Sequence, residues 1–194
     1  MYNTPNSPCD SAAVRYITKA MNNTRFPRYL LLSALTGLML ATAPLSPHAQ
    51  AKADFLGAFG NWEAYSTDAG GKLCYIAAVP TKSEGKYTRR GDIFLLVSHR
   101  PQDNSTGVVS LEAGYSYGPK SKITAKIGGK SYAMFPDGGH SFAYEDAPLV
   151  NAMIRGSDIV IQGTSSRGTL TTDTFSLTGF TAAYKAASTA CGVK

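Results

Sequence analysis

Acid–base or nucleophilic chemistry needs a base within hydrogen-bond reach of a nucleophile. Beyond its first fifty residues this chain offers two histidines, His99 and His140. Each has a serine beside it, Ser98 and Ser141. Neighbours on a strand point to opposite faces, so adjacency alone builds no dyad. Both histidines fit surface or turn positions better than bases. A hydrolase using His99 or His140 stands as a secondary reading. No spacing of His, Cys, Asp and Glu resembles a zinc or calcium motif. The glycine pairs in "DAGG" and "IGGK" suit hairpin turns rather than a phosphate-binding loop. The expectation is no catalytic residue, no metal and no cofactor.

Charge offers a different chemistry. The stretch "TKSEGKYTRRGD" carries Lys82, Lys86, Arg89 and Arg90 within nine residues. With Asp92 they form a candidate contact loop for an acidic surface, against a plain solvated loop as the alternative. The loop contains Arg90-Gly91-Asp92, a tripeptide that can bind integrins when exposed. Here Asp92 abuts a buried strand, so a structural turn is the better reading. Tyr115 and Tyr117 in "EAGYSYGPK" alternate with Ser116 and suit core positions more than an exposed aromatic site.

The residues ahead of this region are of another kind. "YLLLSALTGLMLATAPLSPHAQA" is an uncharged apolar run behind Arg25 and Arg28, ending in Ala-Gln-Ala. That is the layout of a secretory signal peptide, and the run is short of the ~20 residues a membrane span needs. Residues 1–51 are expected to be the leader region, with a true start at Met21 accounting for the polar first twenty residues. Residues 52–194 form one domain. Losing 1–51 lowers the formal charge from +6 to about +3. So weak a positive charge does not argue for nucleic acid, and no integral membrane span remains after cleavage.

Cys9 leaves with the leader, and Cys74 and Cys191 remain. An even pair in an exported chain points to a disulfide, with two buried thiols as the alternative. In "GFTAAYKAASTACG" the residues Phe180, Ala183, Tyr184, Ala187 and Cys191 fall on one helical face, which turns Cys191 toward a sheet. Cys74 shares a strand face with Ile76 and Ala78.

The elements that would position these residues are mostly strands. Nine short apolar stretches, from "GNWEAYS" to "LTTDTFSL", are separated by Gly, Asp, Asn and Pro. Ile93 to Val97 is continuously apolar, which predicts a central strand covered on both faces. Gly128-Gly129 predicts a hairpin placing Ile123, Ala125 and Ile127 opposite Tyr132 and Met134. "DAPLVNAMIRG" predicts a helix capped by Asp146, with Leu149, Val150, Met153 and Ile154 as its apolar stripe. The fold class is mainly β: a single antiparallel β-sandwich-like domain with two short helices, the C-terminal one packed on the sheet.

The chain resembles the invasion-associated locus B family of exported bacterial proteins, on "FGNWEAY", "CYIAAVP", "GVVSLEAGY", "GGKSYAMF", "LVNAMIRG" and "GTLTTDTFSLTGFTAAYKAASTAC". The most specific part is the last, with Gly168, Asp173, Leu177, Gly179, Phe180 and Cys191 in order. The resemblance implies a compact β-sandwich-like domain of the bacterial envelope, periplasmic or at the outer surface. By the family's name it also implies a part in entering host cells, and it implies no catalytic motif. The leading expectation is a non-enzymatic binding module with an envelope or host-surface partner. The alternative is a structural periplasmic protein supporting envelope integrity.

Overall fold

All nine stretches that alternate or concentrate apolar residues form strands in the computed structural model, which describes residues 53–193. The expected leader, residues 1–51, lies outside the described residues. In chain order the strands are β1 (Asp54–Phe59), β2 (Trp62–Thr67), β3 (Leu73–Ala78), β4 (Lys82–Gly85), β5 (Phe94–Arg100) and β6 (Ser105–Glu112), then β7 (Ile123–Ile127), β8 (Lys130–Asp137), β9 (His140–Ala143), β10 (Asp158–Thr164) and β11 (Leu170–Ser176). Helix α1 (Asp146–Arg155) and helix α2 (Phe180–Cys191) complete the domain. The strands pair antiparallel in the order β1-β2-β3-β5-β6-β9-β8-β7-β10-β11-β4. The two strands absent from the sequence expectation, β1 and β4, are the two edges of the sheet.

This one continuous sheet curls so that its halves share a core. Ile76, Val97 and Leu111 from one half cluster with Ile123, Ile161 and Phe175 from the other. The indole N–H of Trp62 on β2 donates to the Ser176 carbonyl on β11 at 2.9 Å, closing one half on the other. The arrangement is the expected sandwich-like domain, with the two layers made by halves of a single sheet. A second apolar cluster, including Tyr65, Tyr75, Phe94 and Leu96, lies on the opposite face of β2, β3 and β5. Strand β5 is therefore central and buried on both faces, as its unbroken apolar run requires.

Register follows the turn chemistry. Gly128 and Gly129 both take positive φ, +52° and +81°, and the two-residue turn sets Ile123 opposite Met134 and Ala125 opposite Tyr132. Lys122 and Lys126 are left exposed.

Both helices pack on the sheet, with one change to each expected detail of α1. Asp146 is its first residue rather than its cap, and its carboxylate accepts the Val109 N–H of β6 at 2.8 Å. Burial pushes that carboxyl above its ordinary range, and the Val109 bond partly offsets this. Ile154 is exposed, and Ala152 fills the apolar stripe with Leu149, Val150 and Met153. Helix α2 lies across β1, β2, β3 and β5 and buries Phe180, Ala183, Ala187 and Cys191. It starts at Gly179, where φ is +90° and a Cβ would sit 1.8 Å from the Phe59 carbonyl oxygen. Only glycine lets the β1–β2 turn approach the helix this closely. The Cys74–Cys191 disulfide joins β3 to the end of α2, with Cα atoms 5.8 Å apart across 117 residues of sequence.

Candidate functional site

The basic stretch divides into parts with different fates. Lys82 lies on β4, which pairs with β11, and its ammonium meets Glu84 at 2.9 Å on the exposed surface. An exposed pair of this kind contributes little to stability. Residues 86–92 form the connection from β4 toward β5, where Lys86, Arg89 and Asp92 are exposed.

Arg90 behaves differently and corrects the expectation of a row of free cations. Its side chain is 4% exposed and forms a bidentate pair with Asp173 of β11, at 2.7 and 2.6 Å. Its Nε also donates to the Ala113 carbonyl at 2.7 Å. Burial alone would lower the basicity of the guanidinium, but the hydrogen bond and charge of Asp173 outweigh it and hold the pKa above its usual value. The ring centroids of Tyr87 and Tyr115 stand 5.5 and 5.0 Å from the guanidinium carbon, a cation–π contact on each. With its arginine buried, the Arg90-Gly91-Asp92 tripeptide cannot present both charges to an integrin.

The backbone reinforces this anchor. The Gly91 N–H donates to the Gly114 carbonyl at 2.8 Å. Gly114 has φ +69°, and a Cβ there would lie 2.4 Å from the Gly91 oxygen. The two segments can touch this closely because Gly114 lacks a side chain.

Between this anchored loop and the turn joining β10 to β11 lies a cleft of about 570 Å³. Lys86 and Arg89 line it from the loop, and Arg167 from the turn. Tyr115 and Thr171 also line it, their hydroxyls 2.8 Å apart. No Asp or Glu is among the lining residues, and neither is a histidine. Tyr115 and Tyr117 thus divide: Tyr117 is buried, whereas Tyr115 is half-buried at the cleft. Burial pushes both phenols above their ordinary pKa. Arg167 was missed in the sequence because it stands 77 positions beyond Arg90, and only the pairing of β11 with β4 brings its turn beside the loop.

The histidines sit elsewhere. His99 is 1% exposed, and its Nδ1 accepts the Gly107 N–H at 3.1 Å. The neutral ring then keeps its proton on Nε2, which faces the Ser188 hydroxyl of α2 at 3.1 Å. A nitrogen already carrying a proton cannot take one from Ser188, so this pairing locks helix to sheet instead of forming a nucleophile and base. Burial depresses the His99 pKa, in keeping with a neutral ring. His140 is half-buried opposite Glu112 of β6, while Ser141 is fully buried. Among the described residues no group of three or more His, Cys, Asp or Glu could hold a metal ion, and no helix is long and apolar enough to cross a membrane.

These features define a class: a curled antiparallel sheet whose C-terminal helix is tied to an inner strand by a disulfide. The chain belongs to the invasion associated locus B (IalB) family, whose model matches residues 62–188. Among solved structures it is similar to invasion associated protein B from Bartonella henselae, at 15% identity, covering 66% of this chain and 92% of that chain with a TM-score of 0.48. No curated protein matches it.

Proposed function

We propose that this protein is an exported, non-enzymatic binding module of the bacterial envelope, formed by residues 52–194 after removal of a leader spanning 1–51. Its partner is an acidic component of the envelope or of a host surface. Lys86 and Arg89 make the contact, with Lys82 and Asp92 at its margin and Arg90 holding the loop from beneath.

The observation that carries this reading is the buried Arg90–Asp173 pair beneath exposed Lys86 and Arg89. A loop already ordered by its anchor loses less conformational entropy when it binds, so more of each new contact appears as affinity. Membership of the invasion associated locus B family supports the envelope setting. Location would be tested by protease treatment of intact cells, then of cells with the outer membrane opened, with the protein followed by mass spectrometry. Digestion in neither case would count against export.

The binding role would be tested with the Lys86→Ala/Arg89→Ala variant, leaving Arg90 in place. Binding to isolated envelope or host-cell material should fall while the melting temperature stays within a few degrees. Unchanged binding would remove the loop from the reading.

A further inference from the structure

We propose that the cleft between the basic loop and the β10–β11 turn binds an anionic saccharide, one bearing carboxylate or sulfate groups, and that Arg167 completes the site. The inference rests on the binding-module reading and gives that module a ligand class.

Charge is the first argument. Lys86, Arg89 and Arg167 converge on one cleft whose lining holds no Asp or Glu. Among the described residues these three side chains make no ion pair, whereas Lys82 and Arg90 each have a carboxylate partner. Residues 52–194 together carry a formal charge of only about +3, so the positive potential is local to this cleft. That distribution suits a compact anionic ligand better than a nucleic acid, which calls for a basic face.

The second argument is the lining itself. Ser165, Ser166 and Thr169 bring hydroxyls to the cleft, and each hydroxyl can donate or accept. Sugar hydroxyls have the same double capacity, so they can pair without leaving a donor or acceptor unmatched. Tyr87, 38% exposed, adds an aromatic face at the loop side. An aromatic body with a polar tip suits a pyranose ring, which is apolar on its face and polar at its rim.

Shape and rigidity complete the case. A cleft of about 570 Å³ falls within the range of small-molecule sites, about 300 to 1,000 Å³. A convex protein surface would not fill it. The turn carrying Arg167 is itself fixed, because the Ser166 N–H donates to the Ser116 carbonyl at 2.8 Å and the Ser165 N–H to the Thr169 carbonyl at 2.9 Å. Both walls are preformed, and the cations at their rims can reach the acidic groups of a bound chain.

The test is calorimetric titration of the purified protein with a heparin-derived hexasaccharide, with maltohexaose as the neutral sugar and tripolyphosphate as the sugar-free anion. The hexasaccharide should bind and maltohexaose should not. Arg167→Ala, at an exposed turn and outside the loop, should weaken binding about tenfold or more, as loss of a charged hydrogen bond does. Lys86→Gln and Tyr87→Leu should each weaken it as well, with Trp62 emission confirming that every variant is folded. Absence of hexasaccharide binding would overturn the proposal. So would tripolyphosphate binding as tightly as the sugar, or affinity indifferent to both Arg167→Ala and Lys86→Gln. If the sugar fails while envelope binding still depends on Lys86 and Arg89, the ligand class is wrong and the binding module stands. If envelope binding ignores those two residues, the module reading itself falls.

Discussion

Arg90 and Asp173 lie 83 positions apart in sequence and meet in a bidentate ion pair that is almost wholly shielded from water. The pair joins the connection after the edge strand β4 to the strand β11 beside it. It converts a run of four cations into one anchor and a set of exposed charges. Removing either partner leaves the other charged and buried. Arg90→Ala or Asp173→Ala should therefore destabilise the protein by about 3–5 kcal/mol, measured by urea unfolding. Replacing both, as in Arg90→Met/Asp173→Leu, should recover most of that loss, because two apolar groups need no partner. A double variant as unstable as the singles combined would show that the site cannot repack.

The disulfide makes a separable contribution. The loop closed by Cys74–Cys191 is long, and removing such a bond costs about 2–5 kcal/mol. The Cys74→Ala/Cys191→Ala variant should show that loss in urea, and reductant should reproduce it in the native protein. Trp62, the only tryptophan, packs edge-on against Phe180 of α2 with ring centroids 5.0 Å apart, so its emission reports the docking of that helix.

His99 sets a pH dependence with a defined sign. Its folded pKa lies below the ordinary 6.5, so the unfolded chain takes up a proton that the fold resists. Its contribution to stability is complete above about pH 6.5 and is lost as the pH falls toward the folded value. Asp146 has the opposite sign: its raised pKa favours the fold at low pH, and that contribution is lost as pH rises above 3.8. Comparing native protein with His99→Gln between about pH 7.5 and about pH 5.5 isolates the histidine. The native melting temperature should fall on acidification, and the variant's should fall less. Parallel curves would contradict a neutral, buried ring.

Two glycines with similar φ should respond very differently to a methyl group. Gly179→Ala drives a Cβ into the Phe59 carbonyl and should cost at least about 3 kcal/mol by urea unfolding. At Gly168, φ is +82° and a Cβ meets nothing within 4 Å. Gly168→Ala should cost only about 1 kcal/mol, the strain of positive φ alone.

Much of this fold was legible in the sequence because burial writes a pattern. Strands with one covered face alternate, β5 with two covered faces does not, and Gly128-Gly129 fixed a register that matches the observed pairs. The face of α2 was legible through Phe180, Ala183, Ala187 and Cys191, and the disulfide through the facing of Cys74 and Cys191. The edge strand β4 left no such trace. "KSEG" of β4 has no apolar residue and pairs on one side only, so nothing in its side chains distinguishes it from a loop.

The candidate site shows the boundary most clearly. The sequence determined that a cluster of cations exists and that Cys74 and Cys191 could meet, since composition and periodicity are local properties. Which cation is buried, which residue neutralises it, that Arg167 faces Lys86 and Arg89 across a cleft, and that His99 meets Ser188 rather than Ser98 were decided by tertiary structure alone. Each depends on the order in which distant strands pair, because a charge finds its partner through the space that sheet topology creates.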